Sequence, residues 1–298
     1  MLLHGDFEYY RPETLKLAIE LAARWMDRGS LLAGGTDLVL EMKREQKTPA
    51  AIIDVSRVPD LRVLEVSDGY LRLGAALPFA TLVGSDLVRR HAPALAQAAS
   101  EIGSPQVRSV GTLGGNIATA SAAGDSLPAL VAHDAEVVIE GPVGSREVPV
   151  ATFLENRAAS LKAGEIIREI RVPTTDAVRT AVFAKLGRRN ALAIARISAV
   201  LAVARSRTGA LTAARLVLGA VAPVPVRVTE AERLIEAEGL AQHVWPAVAE
   251  LASATVARSI PGRPSAPYKT RAVKGLILDM LENVSGGRSA PHLTGRRS

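Results

Sequence analysis

Two short glycine-rich runs, LLAGGTDL at 31–38 and GTLGGN at 111–116, carry most of the chemistry this chain can offer. In the first, consecutive glycines close a short strand-like run, SLLAGG, and leave the backbone open to close approach. A helical run, LVLEMKRE, follows at once, with Thr36 or Asp37 placed to cap it. The start of that helix offers free N–H groups and the positive end of its dipole, which together suit a phosphate. The plainer reading of a Gly-Gly pair is a tight turn between strand and helix. In the second run the glycines fall as G-x-x-G-G. That is neither the G-x-G-x-x-G dinucleotide fingerprint nor a P-loop with its Lys-Ser/Thr pair. Successive N–H groups in such a turn can still form a nest for phosphate, and Thr112 and Asn116 add hydrogen-bonding side chains at either end.

After Asn116 the run IATASAAGD keeps its side chains small and is too polar for ordinary core. The hydroxyls of Thr119 and Ser121 suit a groove holding an extended polar ligand. Asp125 reads two ways, as the cap of the helix SLPALVA and as an acceptor for ligand hydroxyls. A carboxylate with two oxygens can do both. Two loops of backbone donors, one near residue 34 and one near residue 114, suggest a diphosphate held from both sides. The pattern therefore points to a dinucleotide without saying which one. No nucleophile or acid–base pair assembles from the sequence. The five histidines are scattered singly, without metal-ligand spacing.

The elements that must position these runs follow from periodicity. RPETLKLAIELAARWMDRGS spaces Leu15, Ala18, Leu21, Ala22 and Trp25 as a helix ending near Gly29, and AIIDVS is a β-branched buried strand. LRVLEVSDGYLRLGAAL is a hairpin turning at Ser67-Asp68-Gly69. A helix is expected over about 91–102 and another from about 126, followed by strands at AEVVIEG, REVPV and EIIREIRVP, the last ending at Pro173. Three further strands, RTAVFAKLG, AVLAVARS and TAARLVLGAV, precede helices near 229–238, 243–258 and 265–283. The polar stretch Thr174–Val178 is the natural domain boundary, and the last residues, rich in Gly, Ser and Arg, read as a disordered tail.

At 298 residues, with 48% hydrophobic and 22% charged side chains, the chain has room for two domains, or one large one, with substantial cores. Aromatics supply only 3%, too few for the stacking platforms that bind single-stranded nucleic acid. The net charge of +6 is dispersed or carried by the tail and forms no compact basic block, which argues against a nucleic-acid partner. The chain has no cysteine, so it can form no disulfide and cannot hold an iron–sulfur cluster with its own thiolates. No apolar run is long enough for a membrane span, and the N-terminus lacks the pattern of a signal peptide. The protein reads as cytoplasmic.

LLAGGTDLVLEMK followed by GTLGGNIATASAAGDSLPALVA resembles the FAD-binding, or medium, subunit of the molybdenum hydroxylase family, of carbon monoxide dehydrogenase and xanthine dehydrogenase type. LKAGEIIREIRVP and FAKLGRRNALAIARISAVLAVA continue the resemblance in the same order, over nearly the whole chain. The fold it implies is α+β. An N-terminal FAD-binding domain of two α/β subdomains, 1–177 with subdomains of about 1–56 and 57–177, is of vanillyl-alcohol-oxidase or CO-dehydrogenase-flavoprotein type. A C-terminal domain, 178–284, carries a small antiparallel sheet and helices, ahead of a tail at 285–298. By resemblance, Leu32, Ala33, Gly34, Gly35, Thr36 and Asp37 wrap the FAD pyrophosphate. Thr112, Gly114, Gly115 and Asn116 do so from the other side, with Thr119 in the groove beyond. Asp125 binds the polar ribityl or adenosine side, and Ile102 and Gly103 line the approach to the flavin. Ile166 or Ile167 packs near the isoalloxazine ring, although strand core is the plain alternative for both. Lys185 sits at the polar edge of the ring, or is a solvated surface lysine. Arg188 and Arg189 read as a solvated turn or as partners for acidic groups on another subunit.

The resemblance also implies the work done. Substrate is hydroxylated at a molybdenum cofactor on a molybdopterin-binding large subunit, and electrons cross [2Fe–2S] clusters on an iron–sulfur small subunit to reach this FAD. They then pass to NAD+, a quinone or another acceptor, and a dimer of heterotrimers is the expected assembly. Members with an extra cluster in a cysteine-bearing insertion form a subtype that the absence of cysteine excludes. Two other functions fit the loops: a stand-alone flavin-dependent oxidase or dehydrogenase, and a non-catalytic nucleotide-binding module. The first needs its own substrate site beside the flavin, which the sequence does not display.

Overall fold

The computed structural model describes residues 6–156, 161–174, 178–189, 192–206 and 208–286. A short strand, β1 (Glu8–Tyr10), opens the described chain, where the sequence pattern shows no strand. Helix α1 (Leu15–Trp25) is capped by the Thr14 side chain, which accepts from the Leu17 N–H, and it buries Leu15, Ala18, Ile19, Leu21, Ala22 and Trp25 on one stripe. Strand β2 (Gly29–Leu32), helix α2 (Leu38–Lys43) and strand β3 (Ala51–Asp54) follow. The three strands form a parallel sheet in the order β1-β3-β2. All four residues of β3 are buried, as a strand flanked on both sides should be.

Strands β4 (Leu64–Ser67) and β5 (Tyr70–Gly74) form the expected hairpin. Its turn residues, Asp68 and Gly69, have φ of 53° and 79°, the left-handed pair that an Asp-Gly turn provides. Next come short helices α3 (Phe79–Gly84), α4 (Asp86–His91), α5 (Pro93–Glu101), α6 (Pro105–Val110), α7 (Leu113–Thr119) and α8 (Ser126–Ala132). The helix expected at about 91–102 is α5, which starts at Pro93 because proline can open a helix but cannot continue one; α4 before it was not expected. Strands β6 (Glu136–Gly141) and β7 (Gly144–Pro149), helix α9 (Val150–Glu155) and strand β8 (Ile166–Pro173) complete a five-stranded sheet in the order β4-β5-β8-β6-β7.

The rest of the chain is an antiparallel sheet with three helices after it. Strands β9 (Val178–Leu186), β10 (Ile197–Arg205), β11 (Leu211–Gly219) and β12 (Val226–Arg227) lie in the order β12-β11-β10-β9. Helices α10 (Thr229–Glu238), α11 (Trp245–Ser259) and α12 (Ala266–Ser285) follow. The fold is thus α+β, with the small antiparallel sheet in the C-terminal part. Two compact units interleave along the sequence. The first runs to Gly84 and includes Gly103–Ala120 and Ala135–Val172; the second takes Ser85–Ile102, Ser121–Asp134 and the chain from Pro173 on. The boundary expected at 177 lies outside the described residues. Of the expected tail, Ser285 ends α12 and Gly286 caps it, and the remainder also lies outside.

Each unit has its own core and its own buried ion pair. In the first, α1, β3 and Ile166 of β8 share one apolar cluster. Across the five-stranded sheet Arg72 of β5 binds Glu169 of β8 at 2.8 Å, and Arg171 binds the same carboxylate at 2.6 Å. Burial alone would raise the Glu169 carboxyl, but the two guanidinium groups hold it below its ordinary value. In the second unit β10 and β11 pack with α10, α11 and α12. There the buried Glu232 accepts the Leu216 N–H at 3.0 Å and binds Arg227 at 2.5 Å.

Glu169→Gln would leave two guanidinium groups short of their counter-charge and should cost about 3 kcal/mol of stability. Because the native carboxyl is depressed, its contribution is present above its ordinary pKa and is lost as pH falls through the lower native value. Urea unfolding should therefore show the gap between wild type and variant narrowing under acid.

Candidate functional site

The first unit brings the two glycine runs together. A Cβ on Gly34 would lie 2.1 Å from the Val110 carbonyl oxygen and 2.8 Å from the Gly111 Cα, so backbone touches backbone there and no other residue fits. Gly35 turns the chain with φ of 70°. Thr36 lies beside Gly111, where a Cβ would be 3.7 Å from its hydroxyl. At the far end of α7, the Thr119 hydroxyl donates to Asp37 at 3.4 Å. Residues 34–37 thus run alongside 110–119.

The two runs differ in what they can still bind. Around the second, every N–H at the start of α7 has a protein partner. Leu113 donates to Leu77 O at 3.1 Å, Gly114 to Ala75 O at 2.8 Å, and Asn116 to Thr112 O at 3.0 Å. Gly115 donates to the Thr112 side chain, which caps the helix, at 3.2 Å. The nest of free donors expected there is occupied by the helix and by the segment before α3. Gly114 is required by packing, since a Cβ on it would sit 2.5 Å from that of Ala75. The small-residue run expected as an extended groove floor is instead helical through Thr119, and Ile117 is fully buried. In the first run the N–H groups of residues 33–38 make no hydrogen bond among the described residues. Six consecutive unused donors at a half-buried turn suit an anion with several oxygens, such as a diphosphate. Asp37 heads α2 without a side-chain cap bond.

Gly103, also in the first unit, has φ of 48°, and its carbonyl accepts from Arg108 at 2.9 Å. Ile166 and Ile167 are both buried in β8, Ile166 within the cluster that includes α1.

Ile102, Asp125 and Lys185 belong to the second unit. Ile102 ends α5. Lys185 is no surface lysine: its side chain is 7% exposed, and its ammonium donates to Asp125 Oδ2 at 2.8 Å and to the Glu101 carbonyl at 2.8 Å. Glu101 is the last residue of α5, where carbonyls lack helical partners and the dipole is negative, so a lysine is well placed. Asp125 heads α8 but makes no capping bond with its side chain. One of its oxygens takes Lys185, and the other, Oδ1, is buried with no hydrogen-bond partner among the described residues. Burial pushes this carboxyl up to about 6, against the lowering effect of Lys185. The ion pair to Lys185 and the Glu101 carbonyl were absent from the sequence pattern, because neither has a sequence signal. Arg188 and Arg189 are exposed, and Arg189 binds the Leu192 carbonyl.

The raised Asp125 carboxyl has a definite pH signature. The native chain holds that proton more tightly than the unfolded chain, whose aspartates titrate near about 4. Its contribution to stability is complete below that value and is lost as pH rises through about 6. Carbon-13 NMR of labelled aspartate should show one carboxyl titrating near 6 that disappears in Asp125→Asn.

Comparison with known proteins identifies the family. Residues 5–175 match the model of the FAD binding domain in molybdopterin dehydrogenase, and residues 181–284 match that of the CO dehydrogenase flavoprotein C-terminal domain. The chain is 33% identical over 291 residues to the nicotinate dehydrogenase FAD-subunit of Eubacterium barkeri, covering 95% of this chain and 98% of that one. It is 31% identical to the carbon monoxide dehydrogenase medium chain of Hydrogenophaga pseudoflava, covering 95% and 98%. The solved carbon monoxide dehydrogenase of that organism superposes with a TM-score of 0.87 at 30% identity, over 97% of this chain and 100% of that one. The protein whose two glycine runs meet at Gly34 belongs to the FAD-binding medium subunits of the molybdenum hydroxylase family, and is an oxidoreductase subunit.

Proposed function

We propose that this chain holds FAD chiefly by its pyrophosphate at the 33–38 turn and serves as the electron-transfer subunit of a heterotrimeric molybdenum hydroxylase. The observation that carries the first part is the run of unused N–H groups beside the Gly34 contact. When bound, the flavin would supply the redox chemistry between [2Fe–2S] clusters on a small subunit, served by the molybdenum cofactor of a large subunit, and NAD+, a quinone or another acceptor. This chain's residues bind and orient. The backbone from Ala33 to Asp37 donates to phosphate oxygens. Thr112, Gly114, Gly115 and Asn116 hold the opposing helix end in place, and Thr119 steadies Asp37. The assignments of Ile102, Gly103, Asp125, Ile166, Ile167 and Lys185 to the cofactor belong to the same reading and rest on the resemblance. So do the domain limits at 177 and 284, the dimer of heterotrimers and the cytoplasmic location. Among the described residues no helix is long and apolar enough to cross a membrane.

Two measurements test this. Gly115→Val puts a branched side chain against the Thr112 hydroxyl, which a Cβ at Gly115 already approaches to 2.9 Å. The variant should purify folded, by circular dichroism, yet lose the flavin absorbance of the wild type. Folded protein with full flavin content would show that the head of α7 does not support the cradle. Affinity purification of the chain from its source should bring down an iron–sulfur subunit and a molybdenum-containing subunit. Recovery of the chain alone, with substrate turnover intact, would overturn the assembly.

A further inference from the structure

Strand β9 is an edge of its sheet, yet part of its outer edge is already bonded by a side chain. The Gln97 amide on α5 donates to the Ala181 carbonyl at 3.0 Å and accepts from the Phe183 N–H at 2.8 Å. It thereby reproduces the pair of bonds a neighbouring strand would make. Such an approach needs a thin helix face. Ala94, three residues before Gln97 on the same face of α5, is fully buried and supplies part of it.

One helical turn after Gln97 comes Glu101, whose carbonyl receives the Lys185 ammonium. Four residues of helix advance about 6 Å, and two residues of strand advance about 6.6 Å. The steps from 97 to 101 and from 183 to 185 therefore nearly match. Once Gln97 is seated across Ala181 and Phe183, the end of α5 must fall beside residue 185. From there the ammonium reaches both the Glu101 carbonyl and Asp125.

We propose that Gln97 is a positioning residue for the buried Lys185–Asp125 pair, setting the register of α5 on β9 that puts the Glu101 carbonyl on the Lys185 ammonium. Its bearing on function rests on the reading above, in which Lys185 and Asp125 serve the cofactor. The register itself does not depend on that reading. The Gln97 side chain works through backbone atoms, those of Ala181 and Phe183.

The experiment labels the full chain with an amine-acylating reagent under native conditions and reads modification at Lys185 by peptide mass spectrometry. Gln97→Ala should raise the Lys185 labelling rate about tenfold, the change expected when local opening loses the worth of one or two neutral hydrogen bonds. Leu95→Val, a core truncation in the same helix, is the control for simple destabilisation and should leave Lys185 protected. Gln97→Glu keeps an acceptor for Phe183 but sets a carboxylate against the Ala181 carbonyl, and should fall between. It also serves as the test variant if Gln97→Ala does not fold. Labelling in the Gln97 variants within twofold of wild type, or an equal rise in Leu95→Val, would overturn the proposal. FAD affinity of Lys185→Ala is measured in parallel. If it is unchanged, the cofactor role of Lys185 falls, while the labelling result still decides the role of Gln97.

Discussion

The contact of Gly34 with the Val110–Gly111 backbone is the constraint on which the turn at 33–38, the proposed FAD site, depends. A side chain at Gly34 would lie 2.1 Å from a carbonyl oxygen, so the two segments can meet only because a glycine stands there. The contact fixes the turn at 33–38 beside the head of α7 without using any of the turn's own N–H groups. A binding surface is most useful when it is held from outside its donors. Here the second glycine run does the holding, because the amides of residues 113–116 are satisfied by Ala75, Leu77 and Thr112. The two runs therefore divide the labour between scaffold and donor.

The second unit keeps a buried charge by a related arrangement. Lys185 lies at the negative end of α5, and its partner Asp125 lies at the head of α8. Each charge is therefore stabilised by backbone as well as by its counter-ion. The balance is incomplete, since burial outweighs the ammonium and leaves Asp125 with a raised pKa of about 6 and one oxygen unmatched. Buried groups left short of partners in this way are a common feature of binding sites. In the sheet of the first unit, by contrast, Glu169 is matched by two guanidinium groups and its carboxyl is depressed, as befits a purely structural pair.

Much of the fold was legible in the sequence, because its long elements have strong periods. The α1 stripe, the Asp68-Gly69 hairpin, the strands from β6 to β11 and the C-terminal helices lie where apolar spacing and turn chemistry put them. Strands β1 and β12 and the helices α3, α4, α6, α7 and α9 did not show. Each is one or two turns long, or two or three residues of strand, and is stabilised by neighbours more than by local propensity. Among the candidate site residues, both glycine runs stood out as backbone features, because glycine itself is the signal. The availability of their donors did not: the sequence predicts donors for phosphate in both runs, and only the first keeps its amides free.

By itself the sequence determined the ordering of elements, the absence of thiol chemistry, the two glycine runs and, through their order and spacing, the family. Periodicity and backbone permission are properties of neighbouring residues, so one chain read in a line is enough to show them. Tertiary structure alone decided which amides remain free, that Gly34 is the point of contact, and that Lys185 is buried against Asp125 and Glu101. Those facts join residues tens of positions apart through carbonyl oxygens that every residue carries, and a group common to all positions leaves no mark in a sequence.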